Sequence, residues 1–408
     1  MISVLFPFSH ACDADALLAP LLRERAAPPL ATGDARVLDF LDEVGQRLRH
    51  PALARAFPEL APLGAFLRRK RLETELARLE SGPRQLRFPR GLLFHVAPGN
   101  ADTVFMYSWA LAALAGNCNV VRISTRGGAV LQPVLDILND TARDAAPVIA
   151  ATQRIASYDR ADEATTAALS SACDLRVLWG GDAAIQQIRR APIAPHARDL
   201  TFPNRSSFAV IDAAAYLADD SPAQRRAAEF FHTDAYLFGQ AACASPGTTF
   251  WIGAAPEVAR AQHAFFGALT EVIETRGPQL DAAMAIEKQV ATYGLAVDAQ
   301  VDAIRFCGNA IAQVDLAPGA APPRRWLGTG SFAQRRLDSL DELAALLLRQ
   351  DQTLSYYGFT AARMSDFAKR LGGRALDRIV PLGGALAFDP VWDGYDLLRE
   401  FTRLVSVA

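Results

Sequence analysis

The sequence predicts an α/β protein built from a doubly wound domain with a parallel sheet and a second α/β domain. The chain has 408 residues, too many for one ordinary core and suited to two domains of roughly 150–200 residues each. From Gly91 onward, short apolar runs alternate with longer helical ones, the rhythm of a parallel sheet covered on both faces. Beyond the middle of the chain, Cys243 lies in a run of small residues between a helix-like and a strand-like segment.

Taken in order, residues 36–50 place Val37, Leu38, Leu41, Val44 and Leu48 on one helical face. A second helix is expected over about 64–80. Its Arg68-Arg69-Lys70-Arg71 run alternates with leucines and reads as a solvated face. Ser81-Gly82-Pro83 breaks it. Leu92–Val96 is a buried strand ending at Ala97-Pro98-Gly99-Asn100, and an apolar helix over 103–115 stops at Gly116-Asn117. Asn119–Ile123 is the next strand and 128–145 the next helix. Gln153–Ala156 and Leu175–Trp179 follow as strands around a helix near 161–172. Gly180-Gly181-Asp182 opens a helix over 183–190, and Ser207–Ile211 reads as the last strand of this half. In such a sheet, ligands are expected at the carboxyl ends of the strands. The second half has helices near 222–232, 255–275 and 339–349, with a strand at Thr248–Ile252 and an alternating strand over 397–407.

Composition excludes several classes. A net charge of −2 and a pI near 6.3 give no electrostatic reason to expect nucleic acid or an anionic membrane. The five cysteines are scattered and none forms a Cys-x-x-Cys pair, so no metal site is expected and a reducing cytoplasm suits the chain. The N-terminal residues lack the basic and apolar regions of a signal peptide, and no apolar run approaches a membrane span. A cytoplasmic location is therefore expected.

Two short stretches carry chemistry. A thiol in a tight turn has little bulk around it, and nearby backbone N–H groups can lower its pKa, so Cys243 is a candidate nucleophile toward an activated carbonyl. The bland alternative is a buried structural cysteine. Gly180-Gly181-Asp182 stands between a strand and a helix, where a pyrophosphate could approach the helix N-terminus, although a plain βα turn explains it equally well. Gly328-Thr329-Gly330-Ser331-Phe332-Ala333 fits a dinucleotide fingerprint by letter, but it leads into a strand rather than a helix and is discounted.

Over residues 90–408 the chain resembles the aldehyde dehydrogenase superfamily, and within it the LuxC-type acyl-CoA reductases (fatty acid reductases). Ala97-Pro98-Gly99-Asn100 is similar to the superfamily's Pro-x-Asn loop. Ala113–Asn117 through Val120–Ser124 is similar to its Ala-Gly-Asn…Val-Val-Leu-Lys-Pro-Ser cofactor segment. Gln240-Ala241-Ala242-Cys243-Ala244-Ser245-Pro246 is close to the reductases' Gln-Gln-Ala-Cys-Ser-Ser-Pro, and Val391-Trp392-Asp393-Gly394-Tyr395-Asp396 resembles their tail motif. The resemblance implies an aldehyde-dehydrogenase-like fold with a Rossmann-type NAD(P)-binding domain over 91–215. Residues 1–90, before the resemblance begins, read as a helical segment packing on that domain. Residues 216–385 would form the α/β catalytic domain, and 386–408 a tail with an oligomerisation strand. It implies Cys243 as nucleophile and Asn100 as oxyanion donor. Arg122, Ser124, Thr125, Gly180, Gly181 and Asp182 would be cofactor contacts. No carboxylate follows the strand ending at Ser124, which favours NADPH over NADH, because NAD-selecting sites place an acid on the ribose. The expected partners are an acyl-CoA or an acylated carrier or partner protein, and further copies of the chain in a dimer or tetramer.

The departures matter as much. The oxidising dehydrogenases' Glu-Leu-Gly-Gly-Lys is matched by Thr201-Phe202-Pro203-Asn204-Arg205, so Thr201 stands where their deacylating base would be. Their Glu-x-Phe-Gly-Pro is matched only by Arg325-Trp326-Leu327-Gly328-Thr329. The expected activity is NADPH-dependent reduction of an acyl thioester to an aldehyde through an acyl-cysteine. A hydrolytic aldehyde dehydrogenase, a cysteine acyltransferase without nicotinamide, and an idle scaffold subunit are the alternatives.

Overall fold

Apolar strands bounded by glycine, proline and polar turns assemble into two seven-stranded sheets, each the centre of its own unit. The computed structural model describes residues 1–27, 29–79, 82, 84–99, 103–124, 128–277, 282–298 and 300–408. One unit comprises Met1–Asn204 with Phe388–Ala408, the other Arg205–Ala387, where the sequence pattern places boundaries after 90, 215 and 385.

The first unit opens with strands β1 (Ile2–Phe6) and β2 (His10–Cys12), so its first 90 residues are not helical alone. Five helices follow: α1 (Ala14–Ala26), α2 (Ala35–Leu48), α3 (Pro51–Ala56), α4 (Leu60–Phe66) and α5 (Arg69–Ala77). The single helix expected over 64–80 is two, because Arg68 takes an extended conformation (φ −58°, ψ 134°) between α4 and α5. Strand β3 (Gln85–Pro89) then leads into the repeating part: β4 (Leu92–Val96), α6 (Phe105–Leu114), β5 (Cys118–Ile123), α7 (Leu131–Asp144), α8 (Pro147–Thr152), β6 (Gln153–Ser157), α9 (Glu163–Ala172), β7 (Leu175–Trp179), α10 (Asp182–Arg189) and β8 (Arg198–Phe202). Every residue of α6 is buried, as its largely apolar sequence requires, and its one serine, Ser108, donates Oγ–H to Phe105 O at 3.1 Å. The sheet order is β2-β1-β6-β5-β4-β7-β8, parallel from β6 to β8 and antiparallel at β1 and β2. Progress along the sheet reverses between β4 and β7, the switch point at which such sheets open a crevice for ligands.

The second unit runs β9 (Ser206–Asp212), α11 (Ala213–Ala218), α12 (Ser221–Tyr236), a 3₁₀ turn at Leu237–Gln240, β10 (Pro246–Ile252), α13 (Ala255–Arg276), α14 (Ala282–Val297), β11 (Val301–Cys307), β12 (Ile311–Leu316), β13 (Ser331–Leu337), α15 (Leu340–Leu346), β14 (Asp351–Tyr357), α16 (Ala361–Leu371) and β15 (Arg378–Pro381). Its order is β11-β12-β13-β10-β9-β14-β15, parallel except for β11. β9, expected to close the first sheet, is a central strand of the second. Its apolar residues fit either interior equally, and periodicity alone does not say which sheet a doubly buried strand joins. Phe231, Trp251, Phe265 and Phe332 fill one side of this sheet, and Phe208, Phe250, Leu354 and Phe367 the other. Burying each such side chain contributes about 2–3 kcal/mol.

The tail returns to the first unit. Asp393 (φ 51°) and Gly394 (φ 78°) make the left-handed two-residue turn of a small hairpin between β16 (Val391–Trp392) and β17 (Tyr395–Asp396), which gives the Asp-Gly pair of the tail motif its physical reason. A helical turn, α17 (Leu397–Glu400), precedes β18 (Thr402–Ser406). The terminal strand is therefore shorter than the alternation over 397–407 implies. β18 pairs antiparallel with β3 of the same chain, Thr402 opposite Pro89 and Ser406 opposite Gln85. Asn117 Nδ2 donates to Phe401 O at 2.9 Å, and Arg90 donates to the carbonyls of Glu400 and Thr402, each at 2.7 Å. No helix among the described residues is long and apolar enough to cross a membrane.

Candidate active site

Small residues let the chain turn sharply between α12 and β10, and Cys243 sits in that turn. Phe238, Gly239 and Gln240 all take left-handed backbone angles (φ 60°, 58° and 58°). Two of the three are not glycine, so something must hold them there. Gln240 does so with its whole amide. Nε2 donates to Pro246 O at 2.9 Å and Ser331 O at 3.0 Å, while Oε1 accepts from Gly330 N at 2.7 Å and Ser331 N at 3.2 Å. The Gly239 carbonyl in turn accepts from Thr329 Oγ1 at 2.8 Å and Trp326 Nε1 at 3.2 Å. Gly328–Gly330, discounted as a dinucleotide fingerprint, thus serves as the buttress of the cysteine loop. Gly330 has no room for a side chain, since a Cβ there would lie 1.9 Å from Ala310 O.

Cys243 is held from β9 and β14. Its carbonyl accepts from Ser207 Oγ at 2.6 Å, and Ser207 Oγ accepts from Thr353 N at 3.1 Å. Gln352 Nε2 lies 3.4 Å from Cys243 Sγ as donor. The thiol is partly exposed and faces a cleft of about 100 Å³ lined by Arg205, Ser206, Ser207, Ala241, Ala242, Arg324, Arg325 and Trp326 among others. No aspartate or glutamate is among the described lining residues. Arg324 is locked by Asp351, Nε to Oδ1 and Nη2 to Oδ2 both at 2.8 Å, and Arg205 is paired with Asp377. Arg325 and Trp326 are exposed at the rim.

Asp234 anchors the helix that delivers the loop. Its carboxylate accepts from Gly383 N at 2.8 Å and Ala385 N at 2.9 Å. Burial pushes the carboxyl up to about 7, against the downward pull of those two N–H groups.

These groups gather at the amino ends of β9, β10, β13 and β14. The sequence leads one to expect ligands at the carboxyl ends of the strands, whereas the cysteine's cleft lies at the amino ends of its sheet. The reason is local. Cys243 precedes β10, and each partner that reaches it lies at the start of its own strand.

The expected cofactor residues fall at the carboxyl edge of the first sheet. Arg122 lies near the end of β5 with its guanidinium 5.0 Å from the Tyr158 ring centre. Nη2 donates to Tyr158 O at 3.4 Å, and the buried Nε has no partner among the described residues. Ser124 follows β5 directly. Gly180 and Gly181 follow β7 at the switch point, with Gly181 as N-cap of α10. Asp182 Oδ1 accepts from Asn204 N at 3.1 Å and so ties α10 to the end of β8. Asn100 and Thr125 lie outside the described residues. Gln352, Ser207 and Arg324 escape a reading of the sequence. Cys243 and Gln352 are 109 positions apart, and no motif marks the pair.

The sequence profile of the acyl-CoA reductase (LuxC) family matches residues 69–312, more than half of the chain and a stretch that includes Cys243. The chain belongs to this family. It is an oxidoreductase acting on acyl and aldehyde groups. No curated protein matches it. Among solved structures, an NAD-dependent aldehyde dehydrogenase from Sinorhizobium meliloti superposes with a TM-score of 0.71 at 13% identity, over 97% of this chain and 86% of that one. The indole-3-acetaldehyde dehydrogenase of P. syringae, solved with NAD+, gives 0.69 at 13% identity over 99% and 92%. Lactaldehyde dehydrogenase from Escherichia coli gives 0.68 at 12% identity over 97% and 91%. At such identities the likeness is one of fold, and the fold of this LuxC-family chain is that of the aldehyde dehydrogenases.

Proposed function

We propose that the chain reduces an acyl thioester to the free aldehyde with NADPH, through an acyl group held on Cys243. The observation that carries this reading is the chemistry of the cleft: a partly exposed thiol, arginines, and no carboxylate among the described lining residues. A hydrolytic dehydrogenase needs a base beside the acyl-cysteine to activate water. Glu229, on the helix before the loop, instead pairs with Arg225 and does not line the cleft.

In this reading Cys243 Sγ attacks the thioester carbonyl. The donor thiolate leaves and takes a proton, and the acyl group stays on sulfur. Asn100 and the backbone N–H of Cys243 are proposed to hold the oxyanion, and such donors are commonly worth about 3–4 kcal/mol. NADPH, when bound, supplies hydride to the acyl carbon. The carbonyl re-forms by expelling Sγ, and aldehyde departs. Arg325 at the rim suits donors that carry phosphate, such as CoA or a phosphopantetheinylated carrier.

We propose the first unit as the cofactor's place. Ser124, Gly180 and Gly181 stand at the carboxyl edge where a dinucleotide's phosphates would lie, and Arg122 Nε, without a partner among the described residues, would be a donor for a 2′-phosphate. Thr125 and Asp182 complete the proposed set, Asp182 by fixing the start of α10.

The test is incubation with acyl-CoAs of increasing length and NADPH, with the aldehyde trapped and identified. One aldehyde and one CoA per NADPH consumed, with higher kcat/KM for NADPH than for NADH, is expected. Acid as the product, or acyl transfer without nicotinamide turnover, overturns the reading.

A further inference from the structure

We infer that Gln352 is the positioning residue that holds the sulfur of Cys243 as a thiolate, both when it attacks and when it leaves. The Gln352 amide has little freedom. Gln352 is fully buried at the start of β14. Its backbone carbonyl accepts from Asp377 N at 2.8 Å. On one side Asp351 is clamped by Arg324 and by Leu348 N at 2.7 Å. On the other side Thr353 is tied through Ser207 to the Cys243 carbonyl. Gln352 Oε1 accepts from Thr353 Oγ1 at 3.3 Å, which turns Nε2, and with it an N–H, toward Sγ at 3.4 Å. The backbone and the sulfur of Cys243 are thus both held from β14, and the carboxamide is presented in one orientation.

A donor aimed at sulfur acts on the charged form. A hydrogen bond to an ionised group is stronger than one to the neutral thiol, so it raises the thiolate fraction. The need arises twice in the proposed reaction. Sulfur gives its electron pair to the thioester carbon while the donor thiolate leaves. Later, the thiohemiacetal oxyanion re-forms C=O and the carbon–sulfur electron pair returns to Sγ. Between these events sulfur is a neutral thioester and the N–H does little, so the aid falls on the two steps that carry charge on sulfur.

This assignment rests on the reading of Cys243 as nucleophile, and its test uses neither acyl donor nor nicotinamide. The rate of iodoacetamide alkylation is followed against pH by peptide mass spectrometry, with the exposed Cys307 as reference in the same chain. In Gln352→Met the Cys243 rate at neutral pH is expected to fall about tenfold and its midpoint to rise about one pH unit. In the near-isosteric Gln352→Glu, which replaces the donor with a negative charge, the shift is expected to be larger. Cys307 should not change in either. A midpoint at Cys243 that ignores both substitutions overturns the role of Gln352 even if wild-type Cys243 acylates. A midpoint that depends on Gln352 in a protein whose Cys243 never acylates supports the role of Gln352 and overturns the reductase reading alone.

Discussion

Cys118 and Cys173 lie inside the core of the first unit, where burial pushes both thiols up to about 12 and keeps them protonated at neutral pH. Cys12 is also raised, by burial first and then by the neighbouring Asp13. Cys307 is exposed at the end of β11, with no pocket residue near it in sequence. Only Cys243 combines access, a cleft and a directed N–H donor. Acyl-CoA without NADPH should therefore label Cys243 alone in peptide maps, and Cys243→Ala should abolish aldehyde formation. Acyl label on another cysteine, or retained activity in that variant, counts against the assignment. Arg122 makes a second prediction at this scale. Arg122→Ala removes the spare donor near the end of β5 and should lower kcat/KM for NADPH by about tenfold while leaving NADH nearly unchanged. Equal losses with the two cofactors would show that Arg122 only supports the strand.

The elements divide by how local their causes are. Helix α2 and strands β4, β5 and β7 were legible because their apolar spacing is set by residues a few positions apart. Strands β1 and β2 were not legible, since each is short and the pair joins the sheet only through β1 meeting β6 far along the chain. The cysteine turn was legible as a turn, but not the left-handed run that shapes it, which depends on Gln240 meeting Gly330 and Ser331 some 90 positions later. The terminal strand shows the same limit. Its alternation predicts a strand but not the pairing with β3. That pairing leaves Leu86, Phe88 and Leu404 roughly half exposed on a two-stranded ribbon. Such a ribbon, with open edges and apolar faces, is suited to pairing with a second copy. Deleting the strand would also strip Arg90 of the Thr402 carbonyl, so a cleaner test changes the exposed side chains and keeps the backbone. The double substitution Leu86→Asp with Phe88→Asp should convert an oligomer to folded monomer in light scattering. An unchanged oligomer would remove the ribbon from the interface.

For the molecule as a whole, the proposed reaction turns on two fates of an acyl-Cys243, which would decide between aldehyde and acid. Water competes for the same carbonyl throughout the life of the acyl-enzyme. At neutral pH its attack needs a group to take the proton, and a positioned base accelerates such a step by about 100- to 10,000-fold. The second unit offers none among the described residues lining the cleft: Asp351 is spent on Arg324, Asp377 on Arg205, and Asp234 on the loop amides. The first unit carries Thr201 on β8, which the proposed match to Glu-Leu-Gly-Gly-Lys would put in place of the oxidising dehydrogenases' glutamate, and a threonine hydroxyl does not ionise near neutral pH. Under the proposed function, the lack of that base would conserve the thioester until hydride arrives. Acyl-Cys243 prepared without NADPH should then outlast its lifetime with NADPH by at least about a hundredfold. Thr201→Glu should shorten the first lifetime and divert product from aldehyde to acid. Acid release from the wild type as fast as aldehyde formation would mean that a base is present after all, and the enzyme would be a hydrolytic dehydrogenase running the opposite way.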